Sequence, residues 1–304
     1  MVRVLSPPYG TALEYGAGVA KGPLDLSKKF CRTLLRKQTE LFVTAGEENG
    51  RTIDVLATNT FLYGAQNLSP QNLRAFNHAA VDIARETVDN RAIKIWGAMG
   101  PKGDCYTPSS DSVTKLFDYH MAQAHALRDA DVDALLAETM GSVRECVAMV
   151  EVARRLEISL YLSVMATDKG TLLDGSALRE LFTALDSFGT EYSPRRNTLQ
   201  RVLVNCSSHI QTRALYEHAK AEGLLARMGG FYPNAAVLDH GEKNGQSKPK
   251  CDIDAEQMLR WTVEMLEDFA DPQDPEFFVG GCCGTGVALL DSFLNNLPEK
   301  WLKK

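Results

Sequence analysis

Short apolar runs alternate along the chain with longer segments whose apolar residues recur at helical spacing. Runs of the first kind are typical of buried strands, and segments of the second kind are typical of amphipathic helices. The pattern predicts strands at residues 3–5, 53–61, 92–100, 132–139, 158–165, 201–205, 224–231 and 276–281. It predicts helices at residues 24–48, 69–90, 111–129, 142–156, 176–188, 211–222, 255–270 and 286–297. The first and seventh strands have the weakest pattern.

This alternation predicts an α/β fold, because strands that each precede a helix pair in parallel through helical crossovers. Eight such units close most naturally into a single (β/α)8 TIM barrel, and a doubly wound open sheet is the alternative. The barrel is favoured because chemically interesting residues follow many different strands, whereas an open sheet gathers its site at one switch point. Without an internal repeat or a break in composition, residues 1–304 are predicted to form one barrel domain.

Composition and charge narrow the class of partner. A net charge of -6 with a pI near 5.6 gives no reason to expect nucleic acid or an anionic membrane, so a small-molecule partner is predicted. No apolar run approaches the roughly 20 residues that span a bilayer, and the N-terminus lacks the apolar length of a secretory signal. We therefore expect a cytoplasmic protein. The seven cysteines are odd in number, which favours reduced thiols.

Three cysteines at predicted strand ends carry the candidate chemistry. Cys282 and Cys283 lie between glycine pairs just after the last strand, and Cys206 follows the strand at 201–205. Adjacent cysteines bond to each other poorly, so a metal or thiol-exchange role is favoured over a disulfide. Zinc held by three thiolates keeps a fourth position open for a substrate. Buried structural thiols beside a glycine turn are the alternative interpretation.

Sequence motifs spread over nearly the whole chain resemble the homocysteine S-methyltransferase family. They are Gly280–Thr285, Val204–Cys206, Thr58–Phe61, Gly97–Pro101, Glu138–Thr139 with Glu145 after it, Asp168–Gly175 and Tyr232–Asn234. The Gly-Gly-Cys-Cys-Gly element together with a separate Asn-Cys is the most specific of them. The resemblance implies a zinc-dependent (β/α)8 barrel that transfers a methyl group to the sulfur of homocysteine.

The resemblance also assigns roles to individual residues. It implies that Cys206, Cys282 and Cys283 bind Zn²⁺ and that Glu138 binds the ammonium group of the amino acid. Thr58 is expected near the thiol pocket. From the sequence pattern alone, Glu138 either points into the barrel or lies near the N-terminus of the following helix, and both interpretations stay open.

One element departs from the family pattern. The family opens with an Asp-Gly element at its first strand end, whereas here Ser6-Pro7-Pro8-Tyr9 stands in that place. Losing a charge-assisted hydrogen bond of about 1.5–3 kcal/mol weakens binding by one to two orders of magnitude unless another group replaces it. Tyr9 is the expected replacement, through its hydroxyl or its ring, and Glu14 also lies close in sequence. The departure leaves a thiol other than homocysteine as an alternative acceptor.

Three functional hypotheses follow. The first is a zinc-dependent methyltransferase that gives methionine from homocysteine and a cationic donor, which the family implies is S-methylmethionine, S-adenosylmethionine or betaine. The second keeps the zinc and changes the thiol acceptor. The third is a non-catalytic zinc or thiol barrel that senses redox state. Residues 240–252 form a polar stretch that is either a loop or a substrate lid, and Tyr106 is a candidate to line a pocket for a methylated cation.

Overall fold

The computed structural model describes residues 1–9, 13, 24–64, 68–187, 198–237, 250–251 and 253–301. Its main sheet has eight strands, and neighbouring strands along the sheet pair in parallel. These are β1 (Val2–Val4), β2 (Val55–Ala57), β3 (Lys94–Met99), β4 (Ala134–Met140), β5 (Leu160–Val164), β6 (Leu199–Asn205), β7 (Met228–Tyr232) and β8 (Phe277–Val279). The strand order along the sheet is β1-β8-β7-β6-β5-β4-β3-β2.

The sheet closes between its first two strands. Val4 in β1 is opposite Val279 in β8, and Leu5 forms a parallel bridge with Val55 in β2. The backbone N–H of Ser6 also donates to the carbonyl of Val55 at 2.9 Å. These contacts join both edges of the sheet, so the predicted (β/α)8 barrel is confirmed. Its carboxyl end, where the βα loops lie, is called the barrel mouth below.

Within the described ranges, a helix of ten or more residues follows each strand of this sheet. The helices are α1 (Lys29–Thr44), α2 (Pro70–Val88), α3 (Val113–Asp129), α4 (Val143–Arg155), α5 (Leu178–Ser187), α6 (His209–Ala221), α7 (Ala255–Phe269) and α8 (Val287–Asn296). Several begin at a residue whose side chain accepts a hydrogen bond from the first turn. Ser208 and Asp254 do so within complete capping boxes, which satisfy two exposed backbone donors at each helix start.

Among the element boundaries that differ from the sequence prediction are the starts of α1 and of the seventh strand. Helix α1 begins at Lys29 rather than residue 24, because the Ser27 hydroxyl bonds the Asp25 carboxylate at 2.6 Å and forms a turn instead of a cap. The seventh strand begins at Met228 rather than 224, because Leu225–Arg227 forms a 3₁₀ turn before it. Both corrections concern polar or irregular residues next to an apolar run, where periodicity carries little information.

The polar stretch at 240–252 lies almost wholly outside the described residues. Two short strands at its ends, Ala236–Val237 and Lys250–Cys251, pair in antiparallel fashion apart from the barrel sheet. Among the helices that the structure describes, none is both long and apolar enough to cross a membrane.

Aromatic side chains fill the barrel interior below the mouth. Trp96 stacks on Tyr161 with ring centroids 3.8 Å apart, and Phe278 packs against both rings. The strands approach closely here, and Gly230 in β7 has φ +135° with no room for a Cβ beside the carbonyl of Phe278. The interior is therefore a packed core that forms a floor under the loops of the mouth.

Candidate functional site

The three cysteines from two distant strand ends meet at the barrel mouth. Cys206 directly follows β6, and Cys282 and Cys283 follow β8. The three Sγ atoms all lie within 4.8 Å of one another, and those of Cys206 and Cys283 are 3.6 Å apart. Cys206 and Cys282 are buried, whereas Cys283 is partly exposed. The structure thus brings together the thiols that the sequence singled out, with one of them open to the mouth.

The donor set fits a zinc ion. Tetrahedral zinc with Zn–S bonds of about 2.3 Å separates its sulfur ligands by about 3.8 Å. The spacing of the three thiols is compatible with that value. The thiols also crowd one another. Hydrogen bonding with Cys282 and Cys283, together with burial, raises the pKa of Cys206 well above its ordinary value. A divalent cation would offset the repulsion between three thiolates in this enclosed place.

Cys206 lies on strained backbone. Its φ of 51° is in the left-handed region, which costs a residue with a Cβ about 1–2 kcal/mol. Thr139, which follows Glu138 on β4, is also left-handed, with φ 59°. Strain of this kind persists only where surrounding contacts hold it, and it clusters at functional sites. The strand ends at Cys206 and Thr139 therefore share the same left-handed backbone conformation.

Asn234 holds the two thiol-bearing segments together. Its Nδ2 donates to the Cys206 carbonyl at 3.0 Å, and its Oδ1 accepts from the Cys283 backbone N–H at 3.0 Å. One partner is an acceptor and the other a donor, which fixes the orientation of the amide. The Cys282 N–H also donates to the Pro233 carbonyl at 2.8 Å. The segment after β7 thus joins the end of β6 to the Cys-Cys turn.

A second buried amide joins the ends of three other strands. Asn205 Oδ1 accepts from the Thr139 N–H at 3.0 Å and from the Ser163 hydroxyl at 2.8 Å. Its Nδ2 lies 3.8 Å from the Sγ of Cys282. Asn205 is 1% exposed, so these contacts are shielded from water. Sequence reasoning identified Asn205 and Asn234 only as parts of motifs. The available signal for their roles was that each is a polar residue at or just after the end of an apolar strand.

Glu138 lies beside the thiols. Burial raises the pKa of its carboxyl group to about 7, the Tyr232 hydroxyl opposes that shift, and the nearby Cys283 adds to it. The start of α4 is capped by Ser142, whose hydroxyl accepts from the Glu145 N–H. Of the two interpretations that the sequence left open, the structure therefore favours the one in which Glu138 faces the barrel interior.

Thr58 is also at the barrel mouth, but its hydroxyl is already engaged. It accepts from the Ala98 N–H at 3.1 Å and shares a 2.7 Å hydrogen bond with the Thr60 hydroxyl. Because Thr60 donates its only hydroxyl proton to the Ala98 carbonyl, Thr58 must donate to Thr60. Thr58 therefore ties the end of β2 to β3 and has no proton left to offer a substrate.

Tyr9 does not join the thiols. Its hydroxyl bonds the Thr39 hydroxyl at 2.9 Å, and its ring packs against Phe42 with centroids 5.2 Å apart; both partners are on α1. Tyr9 is only 4% exposed. The expectation that Tyr9 replaces the missing carboxylate gains no support from these contacts, because α1 provides a buried partner for both its ring and its hydroxyl. At the end of β1 the Ser6 hydroxyl accepts from the Ala57 N–H at 3.0 Å.

Tyr106, in the loop between β3 and α3, reaches the thiols. Its hydroxyl oxygen lies 3.6 Å from the Sγ of Cys206. The ring is partly buried against the barrel-interior core together with Leu173 and Cys283. The sequence indicated Tyr106 only as a candidate for lining a cation pocket. Its partner Cys206, just after β6, lies 100 residues further along the chain.

Sequence comparison identifies the family. A model of the family described as homocysteine S-methyltransferase matches residues 20–292. The chain is 25% identical over 251 residues to methionine synthase of Mycobacterium tuberculosis, a match that covers 77% of this chain and 19% of that protein. For methionine synthase of Mycobacterium leprae the values are 24% over 253 residues, 76% and 19%. The chain therefore spans about a fifth of the length of these curated relatives.

Solved structures show the same fold. Homocysteine methyltransferase MmuM from Escherichia coli superposes with a TM-score of 0.68 in its apo form, at 21% identity, over 96% of this chain and 94% of that one. Its metallated form gives a TM-score of 0.69 at 20% identity, over 96% and 95% of the two chains. Together with the match of the family model over most of the sequence, the barrel and its three thiols lead to one conclusion: the chain belongs to the homocysteine S-methyltransferase family of methyltransferases.

Proposed function

We propose that this protein is a zinc-dependent methyltransferase that transfers a methyl group from a cationic sulfonium or ammonium donor to the thiol of homocysteine, giving methionine. The observation that carries the proposal is the convergence of three thiols within 4.8 Å at the barrel mouth. Membership of the family and the name of the matched Escherichia coli enzyme support the acceptor.

Cys206, Cys282 and Cys283 would hold the zinc ion, and their spacing and chemistry fit it. When bound, zinc would supply a Lewis acid that lowers the pKa of an incoming thiol, so that the thiol reacts as a thiolate at neutral pH. The partly exposed Cys283 marks the side from which a substrate reaches the centre. The buried amides of Asn234 and Asn205 keep the thiol-bearing segments in place.

Glu138 would orient the acceptor. A carboxylate beside Cys283 can pair with the ammonium group of an amino acid whose sulfur points at the thiols. Most of the rate acceleration would come from holding the acceptor sulfur about 3–3.5 Å from the methyl carbon of the donor. A site built of three thiols and a carboxylate suits a cationic donor, and S-methylmethionine, S-adenosylmethionine and betaine are the three we propose.

The remaining features belong to the same proposal. We propose that residues 1–304 form one barrel domain of the homocysteine-binding type. Its partners would be small molecules, a thiol acceptor and a methyl donor, without nucleic acid or membrane. A cytoplasmic location would supply the reducing conditions that three neighbouring thiols need.

The decisive experiment is to replace Cys282 with Ala and Cys146 with Ala in parallel. Cys146 is a fully buried thiol on α4 that packs in the larger hydrophobic core and is not part of the three-thiol cluster, so it serves as the matched control. Zinc content by elemental analysis and methyl transfer from S-methylmethionine to homocysteine are measured for both. We expect Cys282→Ala to lose both properties and Cys146→Ala to keep both. A Cys282→Ala protein that keeps zinc and activity would rule out the proposal.

One observation favours a second candidate, a methyltransferase for another thiol. The Ser6 hydroxyl accepts a hydrogen bond from the Ala57 N–H, and Pro7 and Pro8 have no N–H to offer. The end of β1 thus lacks the carboxylate that its relatives are expected to use for the amino acid. Comparing kcat/KM over homocysteine, cysteine and thiols without an ammonium group separates the two candidates. A clear preference for an acceptor without the amino acid group would favour the second.

A further inference from the structure

The segment between β3 and α3 delivers a phenol to the thiol centre from a part of the chain that provides none of the thiols. The hydroxyl oxygen of Tyr106 is 3.6 Å from the Sγ of Cys206, within hydrogen-bonding distance for sulfur. The ring packs against the barrel-interior core near Leu173 and Cys283. Tyr106 is therefore held by its ring while its hydroxyl faces the buried thiol of Cys206.

The direction of this hydrogen bond follows from simple chemistry. A phenol with an ordinary pKa of about 10 carries its proton at neutral pH, whereas a thiolate can only accept. When Cys206 is a thiolate, the Tyr106 hydroxyl must be the donor. A donor to a sulfur ligand takes up part of the negative charge of that sulfur, and so stabilises a crowded set of three thiolates.

The loop that carries Tyr106 is anchored to α4 at its start and closed by a turn around Tyr106. At its start, the Lys102 N–H donates to the Glu145 carboxylate at 2.7 Å, and the same oxygen lies 2.9 Å from Nε2 of His120, with both acid and imidazole 1% exposed. Around Tyr106 itself, the Thr107 hydroxyl donates to the Asp104 carboxylate at 2.9 Å, which closes a turn within the loop. The position of Tyr106 is thus built by contacts outside the thiol centre and does not depend on its contact with Cys206.

We infer that Tyr106 is a positioning residue for the metal centre, and that its phenol donates a hydrogen bond to the Cys206 thiolate and thereby strengthens metal binding. The inference rests on the proposed three-thiolate zinc site and adds a residue to it. Partners that hydrogen-bond a metal ligand are typically worth roughly 10–100-fold in metal affinity. Tyr106 acts through Cys206, so its effect extends to the metal itself and is not confined to turnover.

The test replaces Tyr106 with Phe, which removes one oxygen and keeps the ring. Tyr161→Phe is the matched control, because that hydroxyl bonds Glu276 at 3.1 Å and its ring stacks on Trp96 in the barrel floor. Zinc affinity is measured by competition with a chelator, and the cobalt-substituted proteins are compared by their sulfur-to-cobalt charge-transfer absorption. Thermal unfolding of each metal-free protein reports on the fold.

We expect Tyr106→Phe to bind zinc about tenfold more weakly or worse, and its charge-transfer band to move to longer wavelength because the sulfur regains electron density. Tyr161→Phe should match the parent in both measurements. Equal zinc affinity and an unchanged cobalt spectrum in Tyr106→Phe would overturn the inference. The proposed function would still stand in that case, because the parent protein binds zinc. A parent protein that binds no stoichiometric zinc would overturn both. A change of affinity that only follows the loss of thermal stability, without a spectral shift, would also count against it.

Discussion

Replacing Asn234 with Ala tests how the thiol centre is held. The side-chain amide of Asn234 is the link between the Cys206 carbonyl and the Cys283 backbone N–H, with both distances 3.0 Å. Asn234 is 5% exposed, so water cannot easily take its place in the folded protein. Alanine removes both hydrogen bonds and leaves the two backbone groups facing a small gap.

The expected loss of stability follows from these two groups. A buried donor or acceptor that loses its partner costs about 1–3 kcal/mol. Two such groups, partly relieved by local relaxation, should lower the free energy of unfolding by about 2–4 kcal/mol. The left-handed conformation of Cys206 at φ 51° also loses one of the contacts that hold it. We therefore expect zinc affinity to fall together with stability.

The assay is urea unfolding of the metal-free, reduced protein, followed by zinc competition with a chelator. Asn77→Ala is the matched control, because Asn77 is fully buried on α2 and its Nδ2 donates to the Leu73 carbonyl at 2.7 Å. We expect both variants to lose stability, and only Asn234→Ala to lose zinc affinity. If both lost affinity equally, or if Asn234→Ala remained as stable as the parent, the assignment of Asn234 as the link would be wrong.

Three further substitutions test other parts of the structure. Gly230→Ala should unfold the barrel or lower its melting temperature steeply, because a Cβ would overlap the Phe278 carbonyl. In a thermal melt, the control Gly175→Ala, at φ +85° in open space, should cost only about 1–2 kcal/mol of stability. Glu145→Ala should destabilise by about 3 kcal/mol in urea, since a buried histidine and a backbone N–H lose their acceptor, and a loss below 1 kcal/mol would contradict this. Glu138→Gln should raise the KM for homocysteine about tenfold or more without changing zinc content, and an unchanged KM would remove Glu138 from the acceptor site.

The architecture could be predicted from the sequence because its strands are apolar on both faces and regularly spaced. Strands such as β4 and β5 lie between the barrel core and the helices, so they appear as nearly continuous apolar runs. The start of α1 was missed because the Asp25 and Ser27 side chains bond each other, a choice that the spacing of apolar residues does not record. The presence of each helix and strand could be predicted from the sequence, whereas the exact ends of these elements depend on local polar contacts.

The thiols could be predicted for a different reason. Parallel strands in a barrel place their carboxyl ends around one opening, so cysteines directly after two strands are expected to converge. The residues that hold them could not be assigned in the same way. Asn205 bonds the backbone of Thr139, 66 residues away, and Asn234 bonds Cys206, 28 residues away. Such pairings depend on the register between strands, which a single sequence does not specify.

Hydroxyl groups near strand ends were the least predictable part of the site. Tyr9 and Thr58 both follow barrel strands, yet one bonds α1 and the other bonds the neighbouring strand. A hydroxyl needs only one donor and one acceptor nearby, and the sequence does not show which neighbour will supply them. Tyr106 is the opposite case, because it lies in a loop without a strong sequence signal and yet its hydroxyl is within hydrogen-bonding distance of a thiol.

The aromatic floor formed by Trp96, Tyr161 and Phe278 has a kinetic consequence. These rings and the side chains around them block passage along the barrel axis, so under the proposed function both reactants and both products would use the same opening. The acceptor, whose sulfur would meet the thiols, would lie deeper than its co-substrate and would be trapped beneath it. Steady-state kinetics should therefore be of the ordered type, with the thiol entering first and its methylated product leaving last.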